Sequence, residues 1–310
     1  YPAGYPPPDD PSVDVPVAGG SIASTSLTWK LTKSGTLTIA GTGAMPDFSS
    51  DQPWSQYSDD IVTIVIENGV TSVGAGAFRG SRALSVIIPA SVKTIRNSAF
   101  QNCSSLISAT IPEGVESIGS SAFSGCTQMK SIALPASVGS VGDAAFMGCA
   151  KLTQAAFASG SKQVRIGDNL FTQCYELKTV TLPARIDRIG VEMFRNCGGL
   201  SELVVPQGAE RIEMGAFSSC VSLKSVTIPD SVTEIGIAAF ADCGVTDIYY
   251  GGSEAQWANI SKLGDSNAAL AEKKIHYNSA MPEPDPGPDP NPGPDPGPGH
   301  THAWDGGSVT

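Results

Sequence analysis

Histidine and charge are scarce in this sequence. Only three of its 310 residues are His, and all of them (His276, His300 and His302) stand in the last 35 positions. The body of the chain therefore lacks the usual general base of enzyme active sites. Asp, Glu, Lys and Arg make up only 16% of the residues, yet no apolar stretch approaches the ~20 residues that a transmembrane helix needs. We therefore expect neither catalysis nor membrane insertion.

Basic residues are missing from both ends of the chain. Residues 1–20 and 281–310 contain eight acidic residues and no Lys or Arg. The remaining residues carry 22 acidic and 19 basic side chains, so their net charge is −3, although that of the whole chain is −11. A nearly neutral central region offers no basic surface for nucleic acid and no polybasic patch for a membrane. We expect neither as a partner.

A repeat of about 23 residues dominates the sequence, and Cys220 to Phe240 (CVSLKSVTIPDSVTEIGIAAF) shows it most clearly. Each repeat ends in a Phe, at gaps of 22, 23, 23, 25, 23, 23 and 23 residues. These are Phe78, Phe100, Phe123, Phe146, Phe171, Phe194, Phe217 and Phe240. Self-similarity at such a period indicates a solenoid, in which each repeat forms one coil.

Each repeat contains a strand pattern, L-x-x-V-x-I, whose last two apolar residues alternate as in a strand with one buried face. The Leu or Met expected at its buried start is Leu84, Leu106, Met129, Leu152, Leu177, Leu200 or Leu223. A Pro usually follows the strand and ends its pairing.

A tight corner is expected two residues after each Phe. The residues there are Gly80, Asn102, Gly125, Gly148, Gln173, Asn196, Ser219 and Asp242. Gly, Asn and Asp tolerate positive φ, which such a corner requires.

The segments outside the repeats suggest end caps and linkers. Alternating residues on both sides of Gly35 predict a β-hairpin, and the following aromatic residues can cover the first coil. Ser253 before Glu254 predicts a helix cap. A Pro at every second position predicts an extended spacer. The predicted regions are an N-terminal linker (1–20), an N-terminal cap (21–60), about eight repeats (61–250), a C-terminal cap (251–280), a spacer (281–299) and the truncated start of a further module (300–310).

No signal peptide is visible, and the chain starts at Tyr1 rather than at Met. We therefore expect a mature or trimmed part of a longer, multidomain protein.

One Cys stands three residues after each Phe except the first. These are Cys103, Cys126, Cys149, Cys174, Cys197, Cys220 and Cys243. One Cys per coil forms a straight column, whereas zinc requires ligands that converge tetrahedrally. We therefore predict no metal and no cofactor. Neighbouring cysteines of the column could approach the Cα separation that a disulfide needs, but a column of free, buried thiols is the favoured interpretation.

The extended pattern P-x-x-V-x-x-I-G-x-x-A-F-x-x-C-x-x-L-x-x-V-x-I resembles the BspA-type (Treponema pallidum-type) leucine-rich repeat over residues 27–277. The resemblance implies a right-handed leucine-rich-repeat solenoid that is mostly β with short turns. It also implies a parallel β-sheet on the concave face and caps at both ends. Such repeats occur in surface proteins of anaerobic, often gut-dwelling, bacteria, so the expected location is extracellular or on the cell surface.

The exposed side of the strands is the predicted binding site. Its candidate residues are Ile87, Thr110, Lys130, Lys178, Thr181, Glu202, Val204, Lys224 and Tyr249. Apolar residues flanked by charges on such a sheet are what leucine-rich repeats use to bind partners. Strand propensity alone could equally explain the small and β-branched residues. The resemblance implies a non-catalytic binding or adhesion function, carried out by a monomer, with an unidentified and possibly host-derived protein or glycan as the partner. The alternative is a passive spacer that displays another domain.

Overall fold

The computed structural model describes residues 14–160, 163–264, 267, 270 and 272–279. These residues form a stack of coils, and most coils contribute one strand to each of two parallel arrays. The predicted parallel-sheet solenoid is therefore confirmed. The predicted spacer (281–299) and further module (300–310) lie outside the described residues. None of the described helices could cross a membrane.

The longer strands stack side by side into what we call the first sheet. They are β4 (Thr63–Ile66), β6 (Ser85–Ile87), β8 (Ser108–Thr110), β10 (Ser131–Leu134), β12 (Gln154–Phe157), β14 (Thr179–Thr181), β16 (Glu202–Val204), β18 (Ser225–Ile228), β20 (Asp247–Tyr250) and β22 (Lys274–Tyr277). Regular ladder pairing is interrupted between β14 and β16.

Shorter strands form the second sheet. They are β5 (Val70–Val73), β7 (Thr94–Ile95), β9 (Ser117–Ile118), β11 (Ser140–Val141), β13 (Arg165–Ile166), β15 (Arg188–Ile189), β17 (Arg211–Ile212), β19 (Glu234–Ile235) and β21 (Ser261–Lys262). Ladder pairing stops between β13 and β15, in the same region as the interruption of the first sheet.

The N-terminal cap contains the predicted hairpin. Strands β2 (Ser26–Thr32) and β3 (Thr36–Ala44) pair antiparallel, and β3 then pairs in parallel with β4 and β5. A 3-10 helix at Ser55–Tyr57 follows, directly after Trp54. Trp54 is buried and stacks on Phe78 at 5.5 Å between ring centroids, so it takes the place of a Phe before the first complete coil.

Strand β1 (Pro16–Ser21) pairs antiparallel with β2, so the prediction of a linker over residues 1–20 is wrong for this segment. The strand has no buried face, and therefore no apolar alternation marks it in the sequence. Backbone pairing holds it in place. At Gly19 a Cβ would lie only 2.8 Å from the carbonyl oxygen of Trp29, so glycine permits the close approach.

The interior is a set of columns that run through the coils. The eight Phe rings stack at 5.0–5.8 Å between neighbouring centroids. Six of the seven cysteines are buried, and all seven are free. In each of these six, the Sγ–H donates to the carbonyl oxygen of the Phe in the preceding coil, over 2.9–3.3 Å. The cysteine column is therefore part of the packing.

Both ends of the Phe segment adopt left-handed backbone conformations. The eight predicted corner positions all have positive φ, from 52° to 74°. A second column, two residues before each Phe, has φ from 50° to 64° and was not predicted. It consists of Gly76, Ser98, Ser121, Ala144, Asn169, Glu192, Gly215 and Ala238. At this position the backbone N–H donates to the next coil, as Ala144 does to the carbonyl of Asp168 over 2.8 Å.

The C-terminal cap begins with helix α1 (Glu254–Asn259). Ser253 and Gln256 form a capping box at its start, which confirms the predicted cap. Trp257 and Ile260 are buried against the last coils. The apolar interior is thus covered at this end as well.

Candidate binding face

The outer side of the first sheet carries three columns of side chains. A leading column stands just before each strand and is linked from coil to coil by backbone hydrogen bonds. A middle column contains the first residue of most strands, and an outer column lies two residues further on, beyond one buried residue. Because neighbouring strands lie about 4.8 Å apart, the face from β6 to β20 is about 35 Å long.

The predicted site residues all lie on this face, in different columns. Lys130, Lys178 and Lys224 belong to the leading column, and Glu202 belongs to the middle column. The outer column contains Ile87, Thr110, Thr181, Val204 and Tyr249. Ile87 and Thr110 lie side by side on neighbouring strands. Val204 and Lys224 belong to neighbouring coils. The structure therefore places them along one surface and does not gather them into a pocket.

The leading column has an apolar end that the sequence interpretation missed. Its first three residues are Val62, Leu84 and Ile107, with exposed fractions of 43%, 45% and 41%. Ile87, which is 57% exposed, lies on the same coil as Leu84. We call these four residues the apolar patch.

Leu84 was predicted to be buried at the start of its strand, and this is wrong. Ala83 is fully buried there instead. The first repeat is one residue short, and strand pairing sets Ser85 opposite Thr63, so the residue before Ser85 falls on the exposed leading column. The apolar patch becomes visible in the sequence when the repeats are aligned on their strands. Ile107 then occupies the exposed position that Lys130 and Lys178 hold in later coils.

The other end of the face is polar. In β22, His276 Nε2 lies 2.8 Å from Asp247 Oδ1, and its ring stacks on Tyr249 at 4.5 Å between centroids. The hydrogen bonds from His276 and Thr246 lower the pKa of the Asp247 carboxyl. Among the described residues, no hydroxyl or thiol group hydrogen-bonds to the His276 ring, so this pair lacks the nucleophile of a hydrolytic triad.

A capped stack of coils with parallel strands and a buried Phe column defines a solenoid of the leucine-rich-repeat class. The family model described as BspA type Leucine rich repeat region matches this chain, in six copies, over residues 55–165 and 140–260. The protein therefore belongs to the BspA-type leucine-rich repeat family.

Solved structures with similarity to this chain come from several bacteria. A leucine-rich cell surface protein from Faecalibacterium prausnitzii is 21% identical, covers 78% of this chain and 97% of its own, and has a TM-score of 0.41. A leucine-rich repeat protein from T. pallidum is also 21% identical, with 84% and 100% covered and a TM-score of 0.49. No curated protein matches the sequence significantly.

Proposed function

We propose that this chain is a non-catalytic binding module of a bacterial cell-surface or secreted protein, and that its first-sheet face binds a protein partner. The observation that carries the proposal is the apolar patch, four large side chains that are each 41–57% exposed. The surface location is what the sequence resemblance implies. Exposed apolar patches of this kind are typical of interaction sites.

The residues around the patch suggest the chemistry of the partner. Lys130 follows Ile107 in the leading column, and Lys178 and Lys224 stand further along it. An interface usually combines an apolar centre with a polar rim. A partner that presents an apolar patch bordered by acidic side chains would complement both features. The face is about 35 Å long, so a partner that lies along it would contact several coils at once.

The test is a pull-down from host-cell surface extracts with the full chain. A patch variant carries Val62→Ser, Leu84→Ser, Ile87→Ser and Ile107→Ser. A control variant carries Met214→Ser, Val221→Ser and Ile237→Ser, which remove side chains that are 47–61% exposed and lie outside the first-sheet strands. Partners retained by the wild type and by the control variant, but lost from the patch variant, support the proposal.

The alternative functions predict other results. If the patch variant retains the same proteins as the wild type, the face does not bind and the chain is a passive spacer. If the retained ligand survives protease treatment but not glycosidase treatment, the partner of this face is a glycan and the proposed protein partner is wrong.

A further inference from the structure

The second sheet carries a groove that the proposed function does not use. It has a volume of about 570 Å³ and crosses five coils, from Asp47 near the N-terminal cap to Arg165 and Gly167. Its polar side chains include Thr94, Ser117 and Ser140. The groove lies on a different array of strands from the apolar patch, so the two surfaces can be tested separately.

A column of hydroxyl groups runs along this groove. Thr94, Ser117, Ser140 and Arg165 occupy equivalent positions in four consecutive coils. Ser117 Oγ donates to Thr94 Oγ1 over 3.2 Å. Because neighbouring strands lie about 4.8 Å apart, one residue of the column follows another at about this interval. The column therefore offers hydrogen-bonding groups at a regular interval along the solenoid.

Glycines keep the neighbouring position of the groove free of side chains. Gly119, Gly142 and Gly167 follow the second-sheet strands in three successive coils. At Gly142, for example, a Cβ would collide with the amide nitrogen of Ser120 in the preceding coil. The glycines therefore allow one coil to pack closely on the preceding one, and their partly exposed backbone lines the groove beside the hydroxyl column.

Arg165 supplies a positive charge at one end of the groove. The equivalent Arg188 and Arg211 in the next two coils pair with Asp168 at 2.6 Å and with Glu213 at 3.0 Å. Arg165 is exposed and forms no ion pair with any described residue. Its guanidinium group can therefore bind a carboxylate, with the bidentate geometry that arginine favours.

We propose that this groove binds a linear acidic oligosaccharide of the uronic-acid type. The hydroxyl column and the exposed backbone would bind sugar hydroxyl groups, and Arg165 would bind a uronate carboxylate. A repeating sugar chain matches a repeating array of polar groups.

The test is calorimetry of the full chain with a tetramer of galacturonic acid. Its fully methyl-esterified form is the matched uncharged probe, and tetraglutamate is the peptide probe. Arg165→Gln removes the charge. Ser117→Leu fills the groove at a position where later coils accommodate Arg. Arg82→Gln is the control, because Arg82 is exposed and pairs with Asp59 outside the groove.

We expect the charged tetramer to bind at least tenfold more tightly than its ester. Arg165→Gln should weaken binding at least tenfold, Ser117→Leu should abolish it, and Arg82→Gln should leave it unchanged, with equal thermal stability in all three variants. The proposal is overturned if the ester or tetraglutamate binds as well as the acid, if Arg165→Gln binds like the wild type, or if the tetramer does not bind.

Discussion

The interior of the coils and their first-sheet face differ in how much they repeat. Inside, a Phe occupies the same position in eight successive coils. Outside, the outer column changes from Ile87 to Thr110 in one step and ends with Tyr249 and His276. Every interior side chain must fit the neighbours above and below it, whereas an exposed side chain has at least one side that faces water or a partner. Repetition therefore reflects stability, and variation is where specificity can arise.

The largest expected effect follows from the titration of the interior. Burial raises the pKa of the Cys103, Cys149 and Cys220 thiols from 9.0 to about 12. Because the pKa of each thiol is higher in the folded state, the contribution of these thiols to the free energy of unfolding is fully present below pH 9. It is lost as the pH rises towards 12. In this window each thiol lowers the free energy of unfolding by about 1.4 kcal/mol per pH unit, so the three together lower it by about 4 kcal/mol per pH unit.

Denaturant unfolding between pH 8 and 11 measures this loss. A variant with Cys103→Ala, Cys149→Ala and Cys220→Ala should start less stable but lose stability less steeply with pH. Equal slopes for the two proteins would show that these thiols ionise as freely in the folded state as in the unfolded one. Water would then reach these thiols in the folded state.

The second prediction tests the Phe column itself. Phe171 is fully buried between Phe146 and Phe194, at 5.8 Å from each ring centroid. Phe171→Ala should lower the free energy of unfolding by about 3–5 kcal/mol and weaken both neighbouring coil interfaces. Chemical denaturation checks this, and an unchanged midpoint would contradict the stacked core.

The smallest stability effect is expected at a corner, with the opposite sign. Gln173 has a φ of 64° and is exposed, so its side chain contributes strain and little packing. Gln173→Gly should raise the free energy of unfolding by about 0.5–1 kcal/mol, because glycine adopts this conformation without steric cost. Gln173→Val is the matched opposite and should be destabilising. If both changes destabilise equally, backbone strain is not what limits this corner.

Sequence reasoning recovered those parts of the fold that have a residue-type signature. The Phe period, the alternation of Val226 and Ile228, and the first column of left-handed corners follow directly from side-chain size and from the tolerance of Gly, Asn and Asp for positive φ. The second left-handed column could not be predicted in this way. Hydrogen bonds between coils impose it on Ala144 and Glu192, which do not favour it.

The sequence predicted which side of the strands is exposed, but it did not predict the apolar patch. The lysines and the outer column lie where the repeat spacing predicted. The apolar patch was missed because Leu84 was counted from the preceding Phe. The gap of 22 residues shows that the first repeat is one residue short, but the strand register is what places Leu84 on the exposed leading column. Counting residues from the Phe assigns Leu84 to the wrong position of the coil, whereas the pairing between strands assigns it to the right one.

The division between a structural interior and a functional face is tested most directly by two variants measured side by side. Leu84→Ser with Ile87→Ser changes the face, and Phe171→Ala changes the interior. We expect the face variant to keep the wild-type unfolding midpoint and to lose partner binding, and the interior variant to unfold earlier while its folded fraction still binds. A face variant that unfolds earlier, or that binds as tightly as the wild type, would contradict this account.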